Sequence, residues 1–91
     1  MAVKVLCDSV NPVEHRASFE RAIADAIGDR AGRWDVWLSQ LNTGFPLTVM
    51  IAGPDGLRVS YIFKDPEQQT AIGIRSRIAA LLAIRCEDAT L

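Results

Sequence analysis

The chain has 91 residues, with ten basic and eleven acidic side chains and a formal net charge of −1. This length predicts a single domain, residues 1–91, with a modest core, and a hydrophobic content of 49% argues against disorder. The two signs of charge are balanced in each half of the chain, with five basic and six acidic residues in 1–45 and five of each in 46–91. The composition therefore lacks the basic excess of proteins that follow a phosphate backbone.

No segment has the pattern of a targeting or membrane-spanning sequence. The apolar run at the N-terminus is shorter than a signal-peptide core, and nowhere do about eighteen apolar residues follow one another. Cys7 and Cys86 are isolated, with neither C-x-x-C spacing nor a neighbouring histidine. We therefore expect a cytoplasmic protein without membrane contact whose cysteines are reduced, and whether the two cysteines lie close together stays open.

The first half of the chain predicts an N-terminal segment and a helix. Residues 2–7 are β-prone and form either an edge strand or an ordered extension, with residues 1–10 as its outer limits. Asn11 as N-cap and Pro12 at the first helical position predict where the helix begins, and Gly28 or Gly32 ends it. Its apolar stripe is Phe19, Ala22, Ile23, Ala26 and Ile27. The side expected to face solvent carries Arg16, Glu20, Arg21, Asp25 and Asp29.

The second half predicts three strands, at 34–41, 47–52 and 57–63, followed by a helix. The sequence GPDG at 53–56 predicts a three-residue turn with Pro54 and Asp55 at its centre and Gly56 at positive φ. Asp65 as cap with Pro66 behind it predicts a helix that runs to about Arg85 and leaves 87–91 as a frayed tail. Its buried stripe is Ala71, Ile74, Ile78, Leu81 and Leu82.

Gly73 lies inside this second predicted helix, where glycine costs about 1 kcal/mol relative to alanine. A neighbouring backbone that approaches closely explains it best, and a helix that begins late or bends is the alternative. Together the elements predict an α+β two-layer sandwich in the order (β)-α-β-β-β-α. Its antiparallel sheet has three strands, and a fourth if the N-terminal segment joins, with both helices on one face.

Trp34 and Trp37 lie three positions apart in one predicted strand, so they point to opposite faces of the sheet. If Gly53 faces Leu57 across the turn, the hairpin aligns six large apolar residues on one face: Leu47 with Phe63, Val49 with Tyr61, and Ile51 with Val59. Trp34 shares that face with Val36 and Leu38. We therefore expect Trp34 in the core and Trp37 on the outer face.

The outer face is expected to be mixed, holding Asp35, Trp37, Ser39, Leu41, Thr48, Met50, Ala52, Arg58, Ser60 and Ile62. Met50 falls opposite Trp37 if residues 42–45 close the first hairpin, which leaves an apolar patch open. Our hypothesis is a non-enzymatic interaction module that binds a protein partner, most simply a second copy, and its surface is Trp37, Leu41, Met50, Arg58 and Ile62. Two other readings are that the N-terminal segment or the tail covers Trp37, or that Trp37 stacks on bases.

The alternative function is nucleic-acid binding through Trp37 and three arginines, which are Arg58, Arg75 and Arg77. Arg75, Arg77 and Arg85 form a mildly basic stripe, which arginine stems lying over apolar surface also explain. The order α-β-β-β-α is that of the double-stranded RNA-binding domain, which normally has a basic cluster at the start of its second helix. Asp65 and Glu67 stand there in this chain. Only topology is shared, and topology does not carry function.

No group of residues predicts a catalytic, cofactor-binding or metal-binding site. His15 is the single histidine and has no partners at a telling spacing. Asp25 and Asp29 indicate a solvated helix face, because a hard cation needs several converging oxygens. An enzyme or ligand-binding protein is the third reading, and it requires a cleft near His15 or Gly73 with a perturbed titrating group.

Overall fold

The computed structural model describes residues 2–10, 13–42 and 45–88, and it describes no side chains for residue 2 or for residues beyond 85. Four strands and two helices make up most of these residues. The elements in chain order are β1 (Ala2–Asp8), α1 (His15–Ile27), β2 (Arg33–Gln40), β3 (Leu47–Ala52), β4 (Arg58–Phe63) and α2 (Ala71–Asp88). The α+β class and the order β-α-β-β-β-α agree with the sequence prediction.

The four strands form one mixed sheet in the order β1-β2-β3-β4. β1 runs parallel to β2, whereas β2 with β3 and β3 with β4 are antiparallel. The prediction of a purely antiparallel sheet is therefore wrong, and the optional N-terminal strand is a full member. The reason is the connection, because α1 lies between β1 and β2 and returns the chain to the same end of the sheet, as a βαβ crossover does.

β1 contains an irregularity opposite the middle of β2. Val5 is the partner of Val36, and Cys7 is the partner of Trp37, so Leu6 is one residue more than β2 can pair. An extra residue of this kind bends the strand and changes which side chains share a face. It places Cys7 beside the outer-face Trp37, while Asp8 pairs with Leu38, which is a core residue.

The hairpin register agrees with the prediction. Leu47 pairs with Phe63, Val49 with Tyr61, and Ile51 with Val59. All of these are buried except Tyr61, which is half-buried at the edge strand β4. The ring of Tyr61 lies edge-on to Phe63 at 4.7 Å between ring centroids, and the Arg77 guanidinium lies 5.4 Å from the centroid of the Tyr61 ring.

Both helices contribute to one core on the same face of the sheet. The predicted stripe of α1 is buried throughout. From α2, Ile74, Ile78 and Leu82 are fully buried, while Ala71 and Leu81 pack against the core and stay partly exposed. The burial pattern along β2 alternates, with Trp34, Val36 and Leu38 inside. This confirms that Trp34 belongs to the core.

The turn between β3 and β4 differs from the prediction at one residue. Gly53 donates its N–H to the Leu57 carbonyl at 2.9 Å, which closes a three-residue loop as expected. Asp55 has φ +60° in addition to Gly56 at φ +77°. Aspartate is one of the few residues that tolerate this left-handed region, so two consecutive positive φ values fit within the short 3₁₀ turn Pro54–Gly56.

The first helix begins at His15, later than predicted. The predicted cap at Asn11 and Pro12 lies outside the described residues. Glu14 precedes the helix and makes no side-chain capping hydrogen bond. At the other end, Gly28 adopts φ +63° and donates its N–H to the Ala24 carbonyl at 3.0 Å, so Gly28 ends the helix as one of the two predicted stops.

The second helix also begins later than predicted, at Ala71. Asp65 and Pro66 instead start a separate 3₁₀ turn, Pro66–Gln68, in which Asp65 accepts a hydrogen bond from the Glu67 N–H at 3.1 Å. The cap of α2 is Thr70, whose Oγ1 accepts from the Gly73 N–H at 3.0 Å. A β-carbon on Gly73 would lie 2.6 Å from the Gln68 carbonyl oxygen. Both explanations of Gly73 therefore apply, because α2 begins late and the backbone of the preceding 3₁₀ turn approaches Gly73 closely.

Replacing Gly53 by alanine is expected to destabilise the protein by about 1–3 kcal/mol, because the new methyl group would overpack the core. Its β-carbon would lie 2.6 Å from Cζ3 of the buried Trp34 ring. Urea unfolding followed by tryptophan fluorescence measures the loss, and the emission of Trp34 should shift. Gly56→Ala is the control, since its β-carbon meets nothing and its cost of about 1 kcal/mol comes only from positive φ. A Gly53→Ala variant as stable as the wild type contradicts this packing.

Candidate interaction surface

The outer face is the side of the sheet opposite the helices, and strand pairing orders it into three rows. The first row is charged at both ends and contains Lys4, Asp35, Ala52 and Arg58. The middle row contains Cys7, Trp37, Met50 and Ser60. The third row contains Ser39, Thr48 and Ile62. Every charged side chain of these rows therefore lies at one end of the face, and the largest apolar side chains lie in its middle and at its other end.

Most of the predicted surface residues lie on this outer face. Trp37 and Met50 are direct cross-strand partners, as predicted, with Trp37 half-buried and Met50 44% exposed. Ile62 is 48% exposed and pairs with Thr48 in the next row. Arg58 is exposed at the corner of the first row. Leu41 is also exposed but follows the last residue of β2. The structure thus brings four of the five residues onto one face.

The half-buried state of Trp37 has a simple structural cause. The N-terminal segment is a strand of the sheet, so it lies beside Trp37 instead of across it, and Cys7 is the neighbour. Met50 flanks Trp37 on the other side. The alternative in which the N-terminal segment folds over Trp37 is therefore wrong. The tail from residue 89 onwards lies outside the described residues.

Trp34, in contrast, is closed in on all sides. It is 2% exposed, its ring lies against Gly53, and its Nε1–H donates to the Ala31 carbonyl at 3.2 Å. A buried indole needs such a partner because an unpaired N–H costs free energy. The two tryptophans therefore differ in environment as the alternation of the strand requires.

A depression of about 260 Å³ is lined by residues of the outer face together with the core residues Ile51 and Val59 and part of α2. Its lining includes Trp37, Met50, Arg58 and Ser60 and, from α2, Leu81 and Arg85. Sequence reasoning did not connect Arg85 with Trp37, because which helix position reaches the sheet depends on how α2 crosses it. The depression thus combines an aromatic ring, a thioether and two guanidinium groups.

The other two arginines of the nucleic-acid hypothesis lie elsewhere. Arg77 lines a depression with Phe63 and Gly73 and stacks over Tyr61. Arg75 lines another, which it shares with Arg21 and the acidic Asp25. The structure therefore brings Trp37 and Arg58 together but distributes the predicted arginine set over three depressions.

The depression at Gly73 also bears on the hypothesis of an enzyme or ligand-binding protein. That hypothesis requires a cleft near His15 or Gly73 that contains a group with a perturbed pKa. Its volume is about 380 Å³, and Glu20, whose pKa is raised, is not part of its lining. His15 is exposed, with its ring centroid 5.4 Å from that of Phe19. Among the side chains that the structure describes, which end at residue 85, no three His, Cys, Asp or Glu groups are placed to hold a metal ion.

Comparison of the chain with models of protein families, with curated proteins and with solved structures finds no match. Over the described part of the chain, neither helix has both the length and the apolar character needed to cross a membrane.

Trp34→Phe and Trp37→Phe are expected to affect stability unequally. The first removes buried volume and leaves the Ala31 carbonyl without its donor, so we expect a loss of about 2 kcal/mol or more. The second changes a half-buried side chain and should cost less than about 1 kcal/mol. Urea unfolding at low protein concentration measures both. The Trp37→Phe variant should retain a blue-shifted emission that acrylamide quenches poorly. Equal losses would contradict the assignment of the two faces.

Proposed function

We propose that this protein is a non-enzymatic protein-interaction module that self-associates through the outer face of its sheet. The observation that carries the proposal is the pair formed by Trp37 and Met50 at the middle of that face. Both described helices contribute to the core on the opposite side, and Met50 remains 44% exposed although Leu81 and Arg85 of α2 line the same depression. Tryptophan and methionine are enriched at the centres of protein interfaces.

The arrangement of side chains supports an interface more than a solvated sheet face. Small side chains flank the central pair within its row, namely Cys7 and Ser60, and do not obstruct access to it. Ile62 extends the apolar area into the third row, where it is 48% exposed. The charged groups remain at one end. An apolar centre with a polar rim is the usual anatomy of a protein interface.

The size of the face supports a modest affinity. Four strands about 4.8 Å apart and six residues with a rise of about 3.3 Å give a flat area of roughly 400 Å². Two such faces give about 800 Å² before the relief of their side chains is counted, which is below the roughly 1,200 Å² of standard specific interfaces and in the range of weak, transient contacts. We therefore expect a dimer that dissociates at accessible protein concentrations.

A second copy of the chain fits this face because of where the charges lie. The two copies can be related by a twofold axis that lies between their sheets and runs parallel to the middle row. This axis places Trp37 and Met50 of one copy against the same residues of the other. It also places the charged first row of each copy against the third row of its partner, which carries Ser39, Thr48 and Ile62. Arg58 and Lys4 then meet no like charge. Stacked sheets about 10 Å apart are a common packing.

Nucleic-acid binding is the second candidate function, and one observation favours it. Trp37 lies in the same depression as Arg58 and Arg85, and among the described side chains no acidic group is part of that lining. A ring beside cations can stack on a base and hold a phosphate. This function predicts an affinity that falls steeply with salt, whereas apolar self-association changes little.

Met50→Glu is expected to raise the dissociation constant of the dimer at least 30-fold, or about 2 kcal/mol, because two carboxylates would be desolvated at the centre of the interface. Met50 is 44% exposed, so the folded monomer should tolerate the change. Sedimentation velocity over a range of protein concentrations measures the effect. Trp37→Asp should have the same effect.

Ile72→Glu is the matched control. Ile72 is an apolar residue of α2 that is 71% exposed and lies away from the outer face, so the variant should dimerise like the wild type. A wild type that stays monomeric at all concentrations, or a control that loses dimerisation equally, contradicts the proposal. Binding of a labelled single-stranded oligonucleotide that weakens with salt and is lost in Arg58→Ala would favour the second function.

A further inference from the structure

Asp8, the last residue of β1, carries a buried carboxylate at the junction with α1. Its side chain is 9% exposed. Oδ1 accepts a hydrogen bond from the Val10 N–H at 3.1 Å. Oδ2 is buried and receives no hydrogen bond from the N–H and O–H groups of the described residues. A buried carboxylate oxygen without a donor costs free energy, so Oδ2 requires a hydrogen-bond donor.

Arg16 does not supply that donor. Its Nε lies 4.0 Å from Asp8 Oδ1 and donates instead to the Val10 carbonyl at 2.8 Å. The guanidinium therefore holds the chain between β1 and α1 and acts on Asp8 only through its charge. The Ser9 N–H, another donor at the junction, also binds a different acceptor, because it donates to the Leu38 carbonyl at 3.0 Å.

Glu20 is the group that reaches Asp8. It follows Arg16 by one helical turn on α1, so both side chains point to the same side. A hydrogen bond with the Asp8 side chain, assisted by burial and by the negative charge of Asp8, raises the pKa of Glu20 to about 7, against the lowering effect of Arg16. The sequence predicted Arg16 and Glu20 on a solvated face, and this is wrong, because both are half-buried.

We propose that the Glu20 carboxyl group keeps its proton and donates it to Asp8 Oδ2, so that the two side chains form a pH-sensitive latch between the end of β1 and α1. The shared proton satisfies the buried oxygen that otherwise has no donor. When Glu20 releases the proton to water, two carboxylates face each other and the latch is weakened. Apart from Asp8, its partner in the pair, the described charged group that acts on Glu20 is Arg16 from α1. This inference does not depend on the proposed function.

The sign of the effect on stability follows from linkage. The folded protein holds the Glu20 proton up to a pH of about 7, whereas an ordinary glutamate loses it near pH 4.5. The folded state therefore binds more protons than the unfolded state between these values. The stabilisation is complete below pH 4.5 and is lost as the pH rises through 7.

The direct test is a titration of the glutamate side-chain carboxyl carbons by ¹³C NMR on the intact chain. We expect the Glu20 resonance to titrate with a midpoint near 7 in the wild type. In Asp8→Asn the midpoint should fall toward 4.5, because the new amide can donate to the Glu20 carboxylate while its oxygen still accepts from the Val10 N–H. A wild-type midpoint near 4.5, or an unchanged midpoint in Asp8→Asn, overturns the proposal.

Glu20→Gln provides a second, independent measurement. Its amide donates to Asp8 at every pH, so the variant should match the wild type near pH 5 and exceed it in unfolding midpoint near pH 8. Glu67→Gln, at an exposed position, is the control and should follow the wild type. Equal pH dependence of Glu20→Gln and the wild type overturns the proposal. The proposal is also overturned if the titration midpoint of Glu20 in the wild type falls on addition of Mg²⁺ or Ca²⁺, because the pair would then be a cation site.

Discussion

The contact between the Trp34 indole and the backbone of Gly53 determines which side chains of the sheet face the core and which face outward. The ring lies so close to Gly53 that no β-carbon fits between them, and its N–H is bound by the Ala31 carbonyl. This contact fixes which face of β2 is inside. Because Trp37 follows by an odd number of residues, the same alternation directs it outward. The candidate interface is therefore a direct consequence of how the core is packed.

The connections leave that outer face open. The crossover through α1 makes β1 parallel to β2, and α2 returns over the same side of the sheet, so both helices contribute to the core on one face. A four-stranded sheet of this kind covers only one of its faces with its own elements. The apolar pair in the middle of this face is the feature on which we base the proposed self-association, and Arg58, Lys4 and Asp35 lie at one end of the face.

The junction of β1 with α1 contains a second constraint, because the Asp8 carboxylate is buried there. The extra residue Leu6 shifts the register of β1, and Asp8 becomes the partner of the core residue Leu38. Arg16 donates through Nε to the Val10 carbonyl and makes no hydrogen bond to Asp8 Oδ2. A neutral Glu20 fills that role at the cost of making this part of the fold sensitive to pH. The outer face and the junction are linked through β1, which contributes Cys7 to one and Asp8 to the other.

The sequence by itself determined the features that local chemistry dictates. The period of apolar residues defined both helices and three strands, and the short turn at 53–56 defined the hairpin register and the inward Trp34. Only the tertiary structure decided the parallel pairing of β1, the late starts of both helices, and the meetings of Glu20 with Asp8 and of Arg85 with the Trp37 depression. The physical reason is distance along the chain. Periodicity and turn chemistry act over a few residues, whereas strand partners and half-buried charges depend on contacts between segments that only the packed fold brings together.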